Sequence, residues 1–275
     1  MYVSTPALIL KTQKYKEYDE IITAFTKKFG KLNLFAHSSK RMKSRLLAGT
    51  QVFSYVNMEI DLRQNGSRLY TSVPIKSNYE FSQNLHKYYL VAYICEILDR
   101  TQAENQTELK FFDKVIRVLD IIREKECDLR LLRLIFEIHL TDSLGIRPDL
   151  DRCEICGQSS IDMMHNVNMT SGSVVCDNCT AKVQAKLFRL DKNLIRFMKY
   201  VYNKSIEVSV NAKISPILVD MLEEFNMNYI HTFYGELKLN SFDILKQEEH
   251  YDKLGTGGFG NRKNRSDIQG SQGGS

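Results

Sequence analysis

Apolar and polar positions alternate through the first part of the chain, and this pattern predicts β-strands. The pattern is found in five short runs, at residues 7–10, 21–26, 32–36, 52–62 and 69–73. Gly30 marks a turn after the second run, and Asn65-Gly66 predicts a hairpin turn between the last two. In the last run the alternate positions are Leu69, Thr71 and Val73. Five strands in so short a segment predict a closed barrel, of which the OB-fold is the common nucleic-acid-binding form.

After residue 80 the apolar spacing changes to three and four, which predicts helices. The strongest segments lie at 85–97, 111–122 and 131–144, and further helices are expected from about 191 and over 214–233. The third segment is so apolar that we expect it at the centre, and Gly145 predicts its end. The fold class is therefore α+β, with a five-stranded OB-fold barrel at 1–79 and a helical domain at 80–150 and 183–245. Residues 246–275 are rich in Gly, Ser and Gln, which predicts a disordered tail.

Two C-x-x-C pairs, separated by 19 residues, interrupt the helical domain. Their cysteines are Cys153, Cys156, Cys176 and Cys179. This spacing predicts a structural Zn²⁺ site with four thiolate ligands, in a module at 151–182. Four sulfurs fill a tetrahedral shell and leave no position for substrate, which argues against a zinc enzyme. Two disulfides, or four ordinary buried cysteines, are the alternatives.

Residues near the cysteine pairs refine this prediction. Gly157 and Gly172 flank the intervening segment, where tight turns around a metal would need glycine. His165 is expected to be a loop residue rather than a ligand, and His139 a core or helix-face residue. The two other cysteines, Cys95 and Cys127, lie in helical patterns and indicate a reducing, cytosolic compartment.

Positive charge is concentrated at the N-terminal end of a chain whose net charge is +5. Residues 1–80 carry nine Lys and four Arg against six acidic residues, and no acidic residue lies between 21 and 58. The candidate nucleic-acid contacts in this stretch are Lys27, Lys28, Lys31, Lys40, Arg41, Lys43 and Arg45. Residues 40–45, hereafter the basic loop, connect the third and fourth predicted strands. A solvated loop is the alternative, but a long run of one sign on an OB barrel favours a polyanion such as nucleic acid.

Aromatic residues accompany these charges along the predicted barrel. They include Tyr15, Tyr18, Phe35 and Tyr70. Exposed rings can stack on the bases of single strands, although most are expected in the barrel core. The sequence contains no motif for a catalytic triad, a zinc hydrolase or a phosphate loop, so we expect no enzyme. We expect no signal peptide and no membrane span, since the N-terminus has no basic segment before a long apolar run and no stretch is apolar enough to span a bilayer.

Several local stretches resemble the bacterial recombination mediator family RecO, over about residues 1–240. Residues 16–26 are similar to the family's opening stretch, residues 29–32 to its hairpin turn, and the basic loop to its basic loop. Residues 136–153, which carry FE, LG, P, LD and C, resemble a passage that leads into the first cysteine pair. The family's usual Lys-Gly pair before the basic loop is His37-Ser38 here.

The resemblance implies a non-enzymatic protein of DNA recombination and repair. Such a protein binds single- and double-stranded DNA, anneals complementary strands, and helps load RecA onto strands coated with single-strand-binding protein (SSB). It works with the partner RecR, and the acidic C-terminal tail of SSB docks on its helical domain. Arg130 and Arg133 on the central helix are candidate cations for that tail, unless they form salt bridges with Asp128 or Glu137. A cytoplasmic, nucleoid-associated protein is therefore expected.

A second class of function stays open on the residues alone. An OB barrel with a four-cysteine module also fits an RNA-binding protein of translation or transcription. Only the large helical domain argues against that alternative at this point.

Overall fold

The computed structural model describes residues 1–63 and 66–253, except the side chains of 249–253. Asn65 of the predicted hairpin turn, and residues 254–275 of the predicted tail, lie outside the described residues. The first five strands are β1 (Tyr2–Lys14), β2 (Glu20–Thr26), β3 (Gly30–Ala36), β4 (Tyr55–Asp61) and β5 (Ser67–Lys76).

These five strands close into a barrel in the order β1-β2-β3-β5-β4. Strand β1 pairs antiparallel with both β2 and β4, and β4 and β5 form an antiparallel hairpin. The ring is completed by parallel pairing of β3 with β5, through Leu34 with Ser67 and Phe35 with Arg68. Such a five-stranded barrel with one parallel closure is the OB-fold, and the predicted fold class is confirmed.

One strand departs from the predicted alternation. The β4–β5 pairing steps from Glu59 opposite Thr71 to Ile60 opposite Leu69, so Tyr70 is an extra residue in a β-bulge. An extra residue reverses which face the following side chains occupy. Ser72 is therefore buried and Val73 is 61% exposed, where simple alternation from Leu69 would bury Val73.

The helical domain follows the barrel and contains most of the core. Its helices are α1 (Tyr79–Ser82), α2 (Leu85–Thr101), α3 (Leu109–Glu124), α4 (Leu129–Ser143), α5 (Lys192–Asn203), α6 (Ile206–Ser209), α7 (Pro216–Tyr234) and α8 (Asn240–Lys253). The side chains of Asn84, Asp128 and Asp191 each accept a backbone N–H in the first turn of α2, α4 and α5. The helix predicted to be central is α4, and eleven consecutive residues from Leu131 to Thr141 are buried.

Some expectations for this region need correction. Helix α8 continues to Lys253, so residues 246–253 are helical rather than part of a disordered tail. Cys127 lies in the connection between α3 and α4 and is only partly buried, whereas Cys95 is buried in α2 as expected. His139 is buried in α4, as predicted. Among the described residues, no helix is both long and apolar enough to cross a lipid bilayer.

The barrel and the helical domain share part of one apolar core. Phe25 of β2 packs against Phe111 and Phe112 of α3, with ring centroids 6.3 and 5.5 Å away. Beyond α4 the cysteine module forms its own three-stranded sheet in the order β7-β6-β8. Its strands are β6 (Met164–Asn168), β7 (Val174–Cys176) and β8 (Leu187–Arg189).

Candidate nucleic-acid interface and metal centre

The basic loop lies in the connection between β3 and β4, as predicted, and most of its side chains are exposed. The Arg41 guanidinium lies 5.2 Å from the ring centroid of Tyr18, and the Arg45 guanidinium lies 5.6 Å from that of Tyr70. Stacking on a ring orients a guanidinium while its N–H groups stay open to an oxyanion. The loop therefore presents two pre-oriented arginines to solvent.

A buried anchor fixes the start of this loop. Glu20 is almost completely buried. Its carboxylate accepts a hydrogen bond from Ser39 Oγ at 2.8 Å and forms a salt bridge with Lys40 Nζ at 3.0 Å. Lys40 thus forms an internal ion pair at the base of the loop. By contrast, the described residues offer Lys43 no hydrogen bond or salt bridge, and it is exposed.

The turn that precedes the loop also carries an electrostatic contact. Ser38 adopts a φ of 54°, a left-handed conformation that favours glycine, as in the family's Lys-Gly pair. Its backbone N–H donates to Asp19 at 2.8 Å, and His37 Nδ1 lies 3.0 Å from the same carboxylate oxygen. The Ser38 N–H and the nearby imidazole lower the pKa of Asp19 below its usual value.

Of the other three predicted DNA contacts, Lys27 and Lys28 lie in the β2–β3 turn and Lys31 lies at the start of β3. Lys27 Nζ is 2.7 Å from the Asp113 carboxylate, whose hydrogen bond raises the Lys27 pKa. Lys31 is 13% exposed and donates to the backbone carbonyl of Asp99 at 2.5 Å. Lys28 donates to the carbonyl of Ser4 at 2.9 Å. The seven candidate residues are therefore divided between the basic loop and the β2–β3 hairpin.

A groove of about 800 Å³ runs along the outer face of β2 and β3, beside the loops that flank them. Its aromatic wall has Tyr15 edge-to-face on Phe35 at 5.6 Å and Phe35 stacked with His37 at 6.3 Å. Lys16 and Arg68 supply positive charge at its rim. Neither cation is in the predicted site. Arg68 comes beside Phe35 only through barrel closure, whereas Lys16 directly follows Tyr15, so its place beside that ring could have been predicted from the sequence.

The four predicted cysteines lie together, with all four Sγ atoms within 4.8 Å of one another. None of the four forms a disulfide. The Sγ atoms of Cys156 and Cys176 are 3.7 Å apart. In a tetrahedral site with Zn–S bonds of about 2.3 Å, two sulfurs would be about 3.8 Å apart. The donor set therefore fits a four-thiolate metal centre.

The electrostatics of this cluster also favour a cation. Burial opposes the Cys153 thiolate, but backbone N–H groups of Cys176, Cys156 and Ile155 lower its pKa to about 6. A hydrogen bond with Cys176, together with burial, raises the pKa of Cys179 to about 12. Neighbouring thiolates repel one another, so all four can be ionised together only when a cation neutralises them.

The residues around the cluster follow the predicted turns. Gly157 and Gly172 have φ of 71° and 76°, and both occur where left-handed backbone is needed. A Cβ at Gly172 would come 2.3 Å from the Tyr229 hydroxyl oxygen of α7. His165 lies on β6 rather than in a loop, and its Nε2 contacts the Asp162 carbonyl oxygen at 3.0 Å. It is not among the clustered donors.

The two arginines predicted to receive an acidic tail both form internal ion pairs. Arg133 is fully buried, 2.8 Å from Glu137, and also pairs with Glu223. Arg130 contacts Asp220 at 2.7 Å and Glu223 at 2.5 Å. The salt bridge between Arg133 and Glu137 is the alternative to tail binding that the sequence left open for Arg133.

Comparison with known proteins identifies the family. A model described as "Recombination protein O N terminal" matches residues 1–78, and one described as "Recombination protein O C terminal" matches residues 82–241. The chain is 28% identical over 250 residues to a protein named DNA repair protein RecO from Alkaliphilus metalliredigens, covering 90% of this chain and 100% of that protein. Proteins of the same name from Clostridium novyi and Listeria monocytogenes are 28% and 24% identical, over 90% of this chain and 95% of each. The chain belongs to the Recombination protein O family, RecO, whose members are named DNA repair proteins.

Proposed function

We propose that this protein is a non-enzymatic recombination mediator that binds single- and double-stranded DNA and anneals complementary strands. The observation that carries the proposal is the groove on the OB barrel. It combines the stacked rings of Tyr15, Phe35 and His37 with the cations Lys16 and Arg68. Ligands of OB-folds bind this face, and base stacking on aromatic rings tolerates any sequence.

The basic loop supplies the electrostatic part of the proposal. Arg41, Lys43 and Arg45 are exposed and can neutralise consecutive phosphates, releasing condensed counterions. A cationic surface also lowers the repulsion between two phosphate backbones, which lets complementary bases meet. Annealing by this route needs no nucleotide.

We assign different roles to the seven candidate DNA contacts, because some of them form internal ion pairs or hydrogen bonds and others are exposed. Arg41, Lys43 and Arg45 act directly on phosphate in this proposal. Lys40 fixes the loop through Glu20, whereas Lys27 and Lys31 hold the barrel against the helical domain. Lys28 stays a candidate at the edge of the turn.

The four-cysteine centre is proposed to bind Zn²⁺ in a structural role. Cys153, Cys156, Cys176 and Cys179 would hold the ion and fill its coordination shell. The ion would link the β6–β8 sheet to the segment after α4, and would leave no site for a reactive water. The DNA-binding chemistry therefore belongs to the barrel.

Partners follow from the family resemblance rather than from a contact in the structure. We propose RecR as a working partner, RecA as the recombinase that is loaded, and the acidic SSB tail as a ligand of the helical domain. Arg130, partly exposed, is the better placed of the two predicted tail contacts, because Arg133 has no exposed surface.

The proposed location is the cytoplasm, at the nucleoid. The RNA-binding alternative is not favoured by relatives named DNA repair proteins.

The proposal is tested by fluorescence-detected annealing of two complementary DNA strands precoated with SSB, without nucleotide. We expect this protein to accelerate annealing, and the acceleration to weaken as salt rises. Failure to accelerate, with naked strands still bound, would reject the mediator function and leave a simple DNA-binding protein. Preference for a matched RNA strand in competition would favour the alternative.

A variant with Lys40, Arg41, Lys43 and Arg45 all changed to Ala tests the site. We expect it to lose most DNA binding while the helical circular dichroism is retained. A Lys27→Ala variant is a control for charge outside the loop, and Arg41→Ala, which removes one positive charge from the loop, is the variant to which it is matched. Unchanged affinity of the fourfold variant at moderate salt would reject the basic loop as the contact surface.

A further inference from the structure

Tyr2 at the start of β1 and Tyr70 on β5 form an exposed aromatic pair on the outer surface of the barrel. Their ring centroids are 5.7 Å apart and their planes cross at 74°, which is an edge-to-face arrangement. The two residues are nevertheless 68% and 51% exposed. Burial of an aromatic ring is strongly favourable, so an ordered pair of rings left in water marks a surface suited to a ligand.

The backbone itself directs Tyr70 outward. Tyr70 is the extra residue of the β-bulge between Glu59 and Ile60 of the partner strand. Bulges re-aim side chains and occur often beside functional sites. The exposed position of Tyr70 is therefore fixed by the strand, and Tyr2 is placed beside it by the pairing of β1 with β4.

A pre-oriented cation accompanies the pair. The Arg45 guanidinium lies over the Tyr70 ring, with its carbon 5.6 Å from the ring centroid. A stacked guanidinium can still donate N–H bonds to a phosphate. Lys43, two residues earlier in the basic loop, adds a second exposed positive charge.

An acidic residue, Glu59, also lies at this surface and would orient a strand bound there. Tyr2, Val3, Ser4, Glu59 and Tyr70 line a shallow hollow of about 570 Å³, and Glu59 accepts a hydrogen bond from the Thr71 hydroxyl at 3.0 Å. Its negative charge repels phosphate but can accept a bond from the amino group of a base. Bases would therefore lie toward the hollow and the phosphate backbone toward Arg45.

The pair is continuous with the groove on β2 and β3. Arg68, which lines that groove, precedes Tyr70 by two residues on β5, and both side chains are exposed. Two residues of a strand span about 7 Å, close to the spacing of successive nucleotides in an extended strand. A single DNA strand leaving the groove past Arg68 would therefore meet Tyr70 next.

We propose that Tyr2, Tyr70 and Arg45 form a second base-stacking subsite that extends the groove for one single strand of DNA. This inference rests on the proposed DNA-binding function and adds the path of the strand to it. Short strands would occupy the groove alone, and longer strands would also reach the tyrosine pair.

The test is a length series of oligothymidylates, bound to the full chain and measured by fluorescence anisotropy. Strands of about 4 and about 12 nucleotides lie at the short end and well inside the range of about 4–16 nucleotides that one OB-fold covers. Loss of one stacking ring should weaken the longer strand about tenfold. We therefore expect Tyr70→Ala and Tyr2→Ala to bind the longer strand about tenfold more weakly and the shorter one normally. Tyr70→Phe, which keeps the ring, should bind both like the wild-type protein.

A groove variant, Phe35→Ala, separates this inference from the proposed function. It should weaken strands of both lengths. If Phe35→Ala loses affinity while Tyr70→Ala binds both lengths normally, the second subsite is rejected and the DNA-binding function stands. If the wild-type protein binds neither length, the function and the subsite both fail.

Crosslinking gives a readout that altered stability would not produce. A longer strand carrying 5-iodouracil at successive positions should crosslink to Tyr70 at one end of the strand, as identified by mass spectrometry of the peptide. Crosslinks confined to Tyr15 and Phe35 at every position would overturn the proposed path. The thermal unfolding of each tyrosine variant, which should match the wild type because both rings are exposed, confirms that the fold is intact.

Discussion

Arg133 and Glu137 lie one helical turn apart on α4, both without exposed surface, and their side chains are joined by a 2.8 Å salt bridge. The Glu137 carboxylate also accepts from the Tyr93 hydroxyl at 2.7 Å and from the Asn226 amide at 3.0 Å. Arg133 pairs in addition with Glu223 of α7. The network joins α2, α4 and α7, so its hydrogen bonds connect three helices of the domain through a single buried charge cluster.

Replacement of Arg133 by Leu should therefore destabilise the helical domain strongly. It would leave the buried Glu137 carboxylate without its cationic partner, and removing one partner of a buried pair costs about 3–5 kcal/mol. Arg130→Leu is the matched control, because Arg130 is partly exposed and its loss should cost about 1 kcal/mol. Urea unfolding followed by helical circular dichroism measures both. Equal midpoints for the two variants would contradict the prediction.

This network shows where sequence reasoning reaches its limit. The spacing of Arg133 and Glu137 predicted a salt bridge as one alternative, because residues four apart share a helix face. The third member, Glu223, is 90 residues away in the chain, and only the packing of α7 on α4 places it there. Local spacing therefore predicted the pair and could not predict its burial.

The lysines of the barrel likewise differ in burial, which local spacing in the sequence does not predict. Lys31 is largely buried against Asp99, whereas Lys43 is exposed in the basic loop. We expect Lys31→Ala to lower the thermal stability and leave DNA affinity nearly unchanged. Lys43→Ala should do the reverse and reduce the slope of log affinity against log salt by about 0.7 for a single strand.

Salt titrations by anisotropy, with thermal unfolding of the same samples, separate the two effects. An equal loss of slope in both variants would show that Lys31, too, contacts phosphate. A charge run in sequence predicts a polyanion partner, but it cannot tell which side of a barrel faces the rest of the chain. The contact of Lys27 with Asp113 of α3 is set by that tertiary arrangement.

The cysteine pairs were predictable because their spacing itself encodes the geometry of the site. The short strands β6–β8 around them were not predicted, since runs of three to five residues carry little periodicity. Helix α8 was missed for a related reason, because it is polar on average and follows no strong apolar repeat. Its first residues are instead held by Glu96, which accepts from the Ser241 backbone N–H at 2.9 Å.

Loss of one thiolate ligand should empty the metal centre. We expect Cys176→Ser to abolish bound zinc and to loosen the module, because structural zinc contributes about 10–16 kcal/mol of binding free energy in small zinc folds. Cys127→Ser is the control, since that thiol lies outside the cluster and is only partly buried.

Elemental analysis of the purified proteins gives the zinc content. Limited proteolysis shows whether the cysteine module has become more susceptible to cleavage. DNA binding by the barrel should be retained in Cys176→Ser. Full zinc content in that variant would exclude Cys176 as a ligand. Loss of DNA binding with an intact fold would instead place the module on the DNA surface.

His139 should make the stability of the protein depend on pH in the acid range. It is buried in α4, and Lys114 Nζ lies 3.1 Å from its Nδ1. Burial, reinforced by the Lys114 charge, lowers its pKa from 6.5 to about 4. Nδ1 accepts a hydrogen bond from the Lys114 ammonium. The neutral ring therefore carries its proton on Nε2, for which the described residues provide no acceptor.

Because the pKa of His139 is lower in the folded protein, the unfolded chain binds this proton more tightly. The free energy of unfolding should therefore fall as pH decreases from about 6.5 to about 4, and the His139 contribution should be constant above and below that window. At 1.36 kcal/mol for each unit of pKa difference, the full effect is about 3 kcal/mol.

His139→Gln provides the comparison, since glutamine can accept the Lys114 hydrogen bond without titrating. Urea unfolding at a series of pH values should show a shallower decline for His139→Gln than for the wild-type protein, because carboxylates titrate equally in both. Parallel curves would mean that His139 is protonated as readily in the folded chain as in the unfolded one.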